Sequence, residues 1–125
     1  MRRYRLRVRD SFASAHSLRG YEGNCERMHG HNWKVEVEVE SCRLDDRGIA
    51  VDFRLLKDLL KEVIGKLDHR NLNDVPPFDD MNPSSENIAQ FIYGEIKGKL
   101  PEGVSLSSVT VWESETASAT YSEVE

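Results

Sequence analysis

No stretch of this sequence stays apolar for the roughly 20 residues that a membrane-spanning helix needs, and charged residues make up 31% of it. Membrane spans are therefore not expected. No apolar segment follows Met1-Arg2-Arg3-Tyr4-Arg5, so a secretory signal is not expected either. Cysteine is scarce: Cys25 lies in a Gly/Asn/His-rich stretch and Cys42 at the end of an alternating segment. Two such residues are too few for a disulfide framework, which points to free thiols and a reducing, cytoplasmic compartment. A basic excess is also missing, since 17 Lys and Arg stand against 22 Asp and Glu, a net charge of −5. That argues against nucleic acid as a partner, and it requires any anionic ligand to be met by local positive charge or a metal. There are no internal repeats and no low-complexity segments, and 125 residues suffice for one domain, 1–125, with one core.

What is present is alternation. Tyr4, Leu6 and Val8 alternate with Arg3, Arg5, Arg7 and Arg9, and the same parity runs on through Phe12, Ser14 and His16. This predicts a long strand with one buried face. A polar stretch from Arg19 to Gly30 reads as a loop. From His31 a second strand is predicted, with Trp33, Val35, Val37 and Val39 inward and Lys34, Glu36, Glu38 and Glu40 outward. Arginines on one strand and glutamates on the next suit antiparallel neighbours. Asp52 then caps a helix carrying Leu56, Leu59, Leu60, Val63 and Leu67, which ends at Asp68-His69-Arg70-Asn71. After a proline-rich loop to Pro83, Ser84 or Ser85 caps a second helix with Ile88, Phe91, Ile92, Ile96 and Leu100 inward. Strands around Leu106 to Glu113 and Ala119 to Val124 complete the order ββααββ. Two helices cover one face of such a sheet, and its open edges ask for neighbouring subunits.

The chemistry concentrates on histidine. His29 and His31, two residues apart in an extended chain, point to one side, and His16 lies on the matching face of the first strand. Three of four histidines thus converge on one interior surface. Three imidazoles suit zinc and leave a fourth position for water or substrate, and no Cys pair lies nearby to close the site. Cys25, four residues before His29, could be a thiolate base beside a bound dication or an ordinary loop cysteine. Asp68-His69 could relay a proton or simply end a helix. Glu113 shares the inward parity of Val109 and Val111, which would give it a buried carboxylate in want of a partner, unless it ends its strand in solvent. Arg27, Lys34 and Arg70 are candidate phosphate contacts or solvated charges.

Six segments together resemble the 6-pyruvoyl-tetrahydropterin synthase / 6-carboxy-tetrahydropterin synthase family. They are Phe12-Ala13-Ser14-Ala15-His16, Cys25-Glu26-Arg27-Met28-His29-Gly30-His31-Asn32, Val51-Asp52-Phe53, Leu67 to Asn73, Asn82-Pro83-Ser84-Ser85-Glu86-Asn87, and Trp112-Glu113. The resemblance implies an α+β tunnelling fold, a four-stranded antiparallel sheet with two helices on one face, assembled as an oligomeric barrel. It implies a homohexamer, a dimer of trimers, with sites between subunits. It also implies Zn2+ on His16, His29 and His31 and 7,8-dihydroneopterin triphosphate as substrate. In that scheme Cys25 takes up a proton, Asp68 and His69 relay protons, and Glu113 fixes the pterin with help from Ser85 and Glu86. Glu26 directly after Cys25 is similar to members that make 6-carboxy-tetrahydropterin for the deazapurine (queuosine) pathway and 6-hydroxymethyl-dihydropterin for folate. A 6-pyruvoyl product, or a pterin- or metal-binding protein without catalysis, remain the alternatives.

Overall fold

The computed structural model describes residues 2–20 and 27–124. Strand β1 (Tyr4–His16) pairs antiparallel with β2 (His29–Ser41) over its whole length. Helices α1 (Phe53–Ile64) and α2 (Ser85–Lys97) follow, with a short 3-10 turn (Leu72–Asp74) between them. Strands β3 (Ser105–Ser114) and β4 (Ala117–Tyr121) finish the chain, and the sheet order is β1-β2-β3-β4, antiparallel throughout.

The period-two pattern becomes a two-faced sheet. Val8, Phe12, Trp33, Val35, Val37, Val39, Val109 and Val111 are buried on one face, and both helices lie over it. On α1, Leu56, Leu60, Val63 and Ile64 form the buried stripe, and the Asp52 carboxylate accepts from the Arg54 N–H at 2.8 Å to satisfy the helix start. On α2 the stripe is Ile88, Ala89, Ile92, Tyr93 and Ile96. Ser84 is the cap, its hydroxyl accepting from the Asn87 N–H at 3.1 Å. The other sheet face is polar and uncovered. Arg7 meets Glu38 and Arg9 meets Glu36, each at 2.8 Å, and Arg3 and Arg5 both approach Glu40. Such exposed pairs set register more than stability, contributing at most about 1 kcal/mol each.

Four boundaries differ from the sequence expectation, one of them the end of α2, which stops at Lys97 with Gly98 as its cap, so that Leu100 lies beyond the helix. β2 begins at His29 rather than His31, so both histidines belong to the strand. α1 stops at Ile64, with Gly65 as its cap, rather than reaching Asp68. Leu67 is still fully buried, carried inward by a tight turn in which the Leu67 and Asp68 N–H groups both donate to the Ile64 carbonyl at 2.9 Å. β4 starts two residues earlier than expected and ends at Tyr121.

The segment after α1 covers one half of the outer edge of β1. The His69 N–H donates to the Ala13 carbonyl at 2.6 Å, the Ala15 N–H donates to the Arg70 carbonyl at 3.0 Å, and Asn71 bridges Ala15 in parallel. Among the described residues no strand pairs with the rest of that edge or with the outer edge of β4. No helix among them is long and apolar enough to cross a membrane.

Candidate metal centre

The β1–β2 register sets His16 directly across from His29, and Ser14 across from His31. Because alternate residues share a face, all three imidazoles lie on the helix-covered side at one end of the hairpin. Their rings stand edge to face, with centroids 4.7 Å apart for His16–His29 and His29–His31 and 5.2 Å for His16–His31. Trp33, wholly buried, forms the floor: its ring packs edge-on against His16 and His31 at 4.8 and 5.3 Å and lies parallel to Phe12. Its indole N–H donates to the Ser14 carbonyl at 3.1 Å, which fixes the ring.

Backbone carbonyls set the tautomers. His16 Nδ1 lies 2.7 Å from the Pro83 carbonyl, and His29 Nδ1 lies 2.7 Å from the Arg27 carbonyl. A carbonyl can only accept, so each Nδ1 carries the hydrogen and each Nε2 is left as a lone pair in the neutral ring. Those two Nε2 atoms face each other at 3.1 Å. Two lone pairs at that distance repel unless a cation lies between them. This donor arrangement, with the outer nitrogens tied to carbonyls and the inner ones converging, is how metal-binding histidines are oriented. Glu113 joins them, with Oε1 2.9 Å from His31 Nε2 and 3.6 Å from His16 Nε2. The four side chains offer donor atoms all within 4.8 Å of one another and could hold a metal ion.

Glu113 does share the inward side of Val109 and Val111, but it is not buried: its side chain is 37% exposed, at the open end of the core. The expected partner for its carboxylate is supplied inside the chain, by His31. Ser85 and Glu86 form the first turn of α2, two and three residues after Pro83, so the His16–Pro83 bond draws that helix start toward the cluster. Ser85 is buried and Glu86 exposed.

Asp68 and His69 are placed elsewhere. Asp68 accepts from the Ala13 N–H at 2.9 Å and contacts His69 Nδ1 at 2.9 Å. The Ala13 N–H on its carboxylate, with the His69 imidazole beside it, holds Asp68 below its ordinary range. His69 is well exposed and adopts a left-handed backbone (φ 55°), an uncommon conformation for a residue with a Cβ. The α1 terminus, five residues back, does not explain this histidine as the sequence suggested; the β1 edge and Asp68 do. The pair lines a cavity of about 280 Å³ with Ser11, Phe12, Ala13 and Asn32, and none of the three clustered histidines lines it. Lys34 is on the uncovered sheet face beside Arg9 and Trp112, away from the histidines. Arg27 and Arg70 are exposed, and both contribute backbone carbonyls to the local frame. Cys25 and Glu26 lie outside the described residues.

Side-chain amides that sequence reasoning assigned no positioning role strap this frame together. Asn73 accepts from the Ser17 N–H and donates to the Ser17 carbonyl, both at 2.9 Å. Asn82 does the same for Arg19 at 2.8 and 3.0 Å, and Asn87 donates to the Asn82 carbonyl. The Arg19 guanidinium reaches the carbonyls of Asn73, Phe78 and Met81. The chain leaving His16 is thereby fixed to the loop that brings Pro83. The two largest cavities described, about 740 Å³ each, lie at the other end of the β1–β2 hairpin, one beside Arg3, Leu44, Ile49 and Phe53 and the other beside Glu40, Tyr93 and Lys97. Neither gathers donors of this kind, so the chemistry is not where the space is largest.

Known proteins resemble this chain in sequence and in fold. A 6-carboxy-5,6,7,8-tetrahydropterin synthase of Synechocystis is 38% identical over 116 residues, covering 89% of this chain and 87% of its own. A dihydroneopterin monophosphate aldolase of Pyrococcus furiosus is 38% identical over 109 residues, covering 87% and 89%. The structure of the 6-pyruvoyl tetrahydropterin synthase of Caenorhabditis elegans superposes with a TM-score of 0.82 at 25% identity, covering 99% of this chain and 98% of that one. The sequence profile of 6-pyruvoyl tetrahydropterin synthase matches residues 5–124, and the chain belongs to that family.

Proposed function

We propose that this chain is a zinc-dependent 6-carboxy-5,6,7,8-tetrahydropterin synthase, acting as one domain on 7,8-dihydroneopterin triphosphate and water with loss of triphosphate and acetaldehyde. The observation that carries this reading is the convergence of the His16, His29 and His31 ring nitrogens, in a chain whose relatives are named tetrahydropterin synthases. Bound there, zinc would supply a Lewis acid for the substrate's side-chain hydroxyls, making the neighbouring C–H more acidic.

The chain's own groups divide the remaining work. Cys25, in the segment leading into β2, takes up the proton as a thiolate. Glu113 and the first turn of α2, with Ser85 and Glu86, hold the 2-amino-4-oxo edge of the pterin. The Asp68–His69 pair relays protons. Its placement on the β1 edge, lining its own cavity, supports a site shared between copies, in which one protomer's pair serves the neighbour's histidines. The open edges of β1 and β4 support the same assembly, a hexamer built as a dimer of trimers. We place the enzyme in the cytoplasm, in deazapurine (queuosine) biosynthesis.

A second reading is favoured by the Pyrococcus relative named an aldolase and by Glu26 next to Cys25. A carboxylate beside the thiol is a candidate second base for retro-aldol cleavage, which would give 6-hydroxymethyl-dihydropterin for folate. Incubation of zinc-loaded protein with 7,8-dihydroneopterin triphosphate, followed by mass identification of the pterin, separates these readings. A 6-carboxy product with a two-carbon aldehyde supports the synthase. A 6-hydroxymethyl product that disappears in Glu26→Ala supports the aldolase. A 6-pyruvoyl product would move the enzyme to another branch, and full turnover in Cys25→Ala would remove the thiolate from the mechanism. No turnover with zinc bound would favour a pterin-binding role.

A further inference from the structure

Glu113 occupies an odd place in its strand. In the β3–β4 ladder Trp112 pairs with Ser118 and Ser114 with Ala117, so the residue between them has no partner and the register shifts there. The β2–β3 ladder also ends one residue earlier, at Lys34–Trp112. A bulge of this kind releases a side chain from the pleat and re-aims it. Here the released carboxylate lies beside the histidine nitrogens.

Three of the distances among these donors are close to the edge of a tetrahedral shell, within a set that spans up to 4.8 Å. Four ligands about 2.0–2.1 Å from a tetrahedral zinc lie roughly 3.3 Å from one another. His16 Nε2 is 3.1 Å from His29 Nε2, and Glu113 Oε1 is 2.9 Å from His31 Nε2 and 3.6 Å from His16 Nε2. We propose that Glu113 is a fourth, displaceable metal ligand, which closes the three-histidine site at rest and leaves it when a pterin arrives. Resting on the metal reading above, this gives one carboxylate two mutually exclusive partners. The 2-amino-4-oxo edge of the pterin offers adjacent N–H donors to the same oxygens. A ligand that engages them must draw Glu113 off the metal, so the fourth position opens only when a pterin is in place. Exposure of 37% leaves the side chain room to swing without disturbing the core.

Cobalt(II) serves as the probe, added to metal-free wild type, Glu113→Gln, Glu113→Ala and His31→Ala, with affinity and visible absorption read together. Glu113→Gln keeps the side-chain volume, and its melting without metal checks the fold. The expected result is one cobalt per wild-type chain, a clear loss of affinity in both Glu113 variants, and a changed absorption band in both. Adding 7,8-dihydroneopterin should move the wild-type band toward that of the variants and leave theirs nearly still. Equal affinity and an identical band in folded Glu113→Gln would overturn the proposal while leaving the three-histidine site intact. A wild type that binds no more cobalt than His31→Ala would overturn both.

Discussion

His16 and His29 face each other across the β1–β2 hairpin with their Nε2 atoms 3.1 Å apart, while each Nδ1 is tied to a backbone carbonyl. Neither ring can turn to relieve the contact without abandoning a bond to Pro83 or Arg27. The pair is therefore poised for a cation, and His31, two residues along the same face, completes a three-nitrogen set.

Replacement of any of these three histidines by alanine should sharply weaken metal binding, because two nitrogens with the displaceable Glu113 carboxylate hold a metal less tightly than the full set. His69→Ala is the matching control, since His69 sits on the β1 edge with Asp68 and lines a different cavity. Metal analysis after dialysis is expected to find one zinc per chain in wild type and His69→Ala and little in the other three. Loss of zinc from His69→Ala to the same degree would place the metal elsewhere.

Trp33 supports the cluster from below, and its removal should be felt in both stability and metal affinity. Trp33→Phe keeps an aromatic ring but leaves the Ser14 carbonyl without the indole N–H donor. Ser14 also faces His31 in the β1–β2 ladder, so the cost is that of one hydrogen bond, about 0.5–1.5 kcal/mol, measurable by urea unfolding of the metal-free protein. Zinc affinity should fall as well, because the His16 and His31 rings rest on the indole. An unchanged urea midpoint would show that this hydrogen bond contributes nothing.

Asp68 gives a pH signature. Its carboxyl is held below its ordinary 3.8 by the Ala13 N–H and by His69. The folded state thus binds fewer protons than the unfolded state in that range. The stabilisation is present above the unfolded carboxylate value and is lost as pH falls through the folded one. An asparagine side chain cannot ionise, so the stability difference between wild type and Asp68→Asn should be full at neutral pH and shrink below about pH 4. Unfolding curves collected between pH 7 and pH 2 check this, and a difference that stays constant would contradict it.

Much of this centre was legible in the sequence because strand parity is strict. Once Val8, Phe12 and His16 face inward on one strand, and His31, Trp33 and Val35 face inward on the next, the hairpin has little choice but to bring the imidazoles together. The Arg/Glu alternation likewise announced the uncovered face. What escaped notice was carried by the backbone. The Pro83 and Arg27 carbonyls that set the histidine tautomers have no side-chain signature. The bulge at Glu113 is a register event that parity can aim but not locate. Gly65 was an available signal for the earlier end of α1, and it was outweighed by Leu67, which continues the apolar spacing but reaches the core through a turn. The asparagine straps were visible as residues, but nothing local says that Asn73 and Asn82 would bind the segment after His16.

The most direct test of a metal-dependent reaction at this cluster is turnover of 7,8-dihydroneopterin triphosphate by one protein preparation before and after metal removal. Conversion is expected from the zinc-loaded protein, none after exhaustive chelation, and recovery on adding back one equivalent of zinc per chain. Undiminished conversion by metal-free protein would contradict this, and would leave the His16–His29 contact without the role assigned to it here.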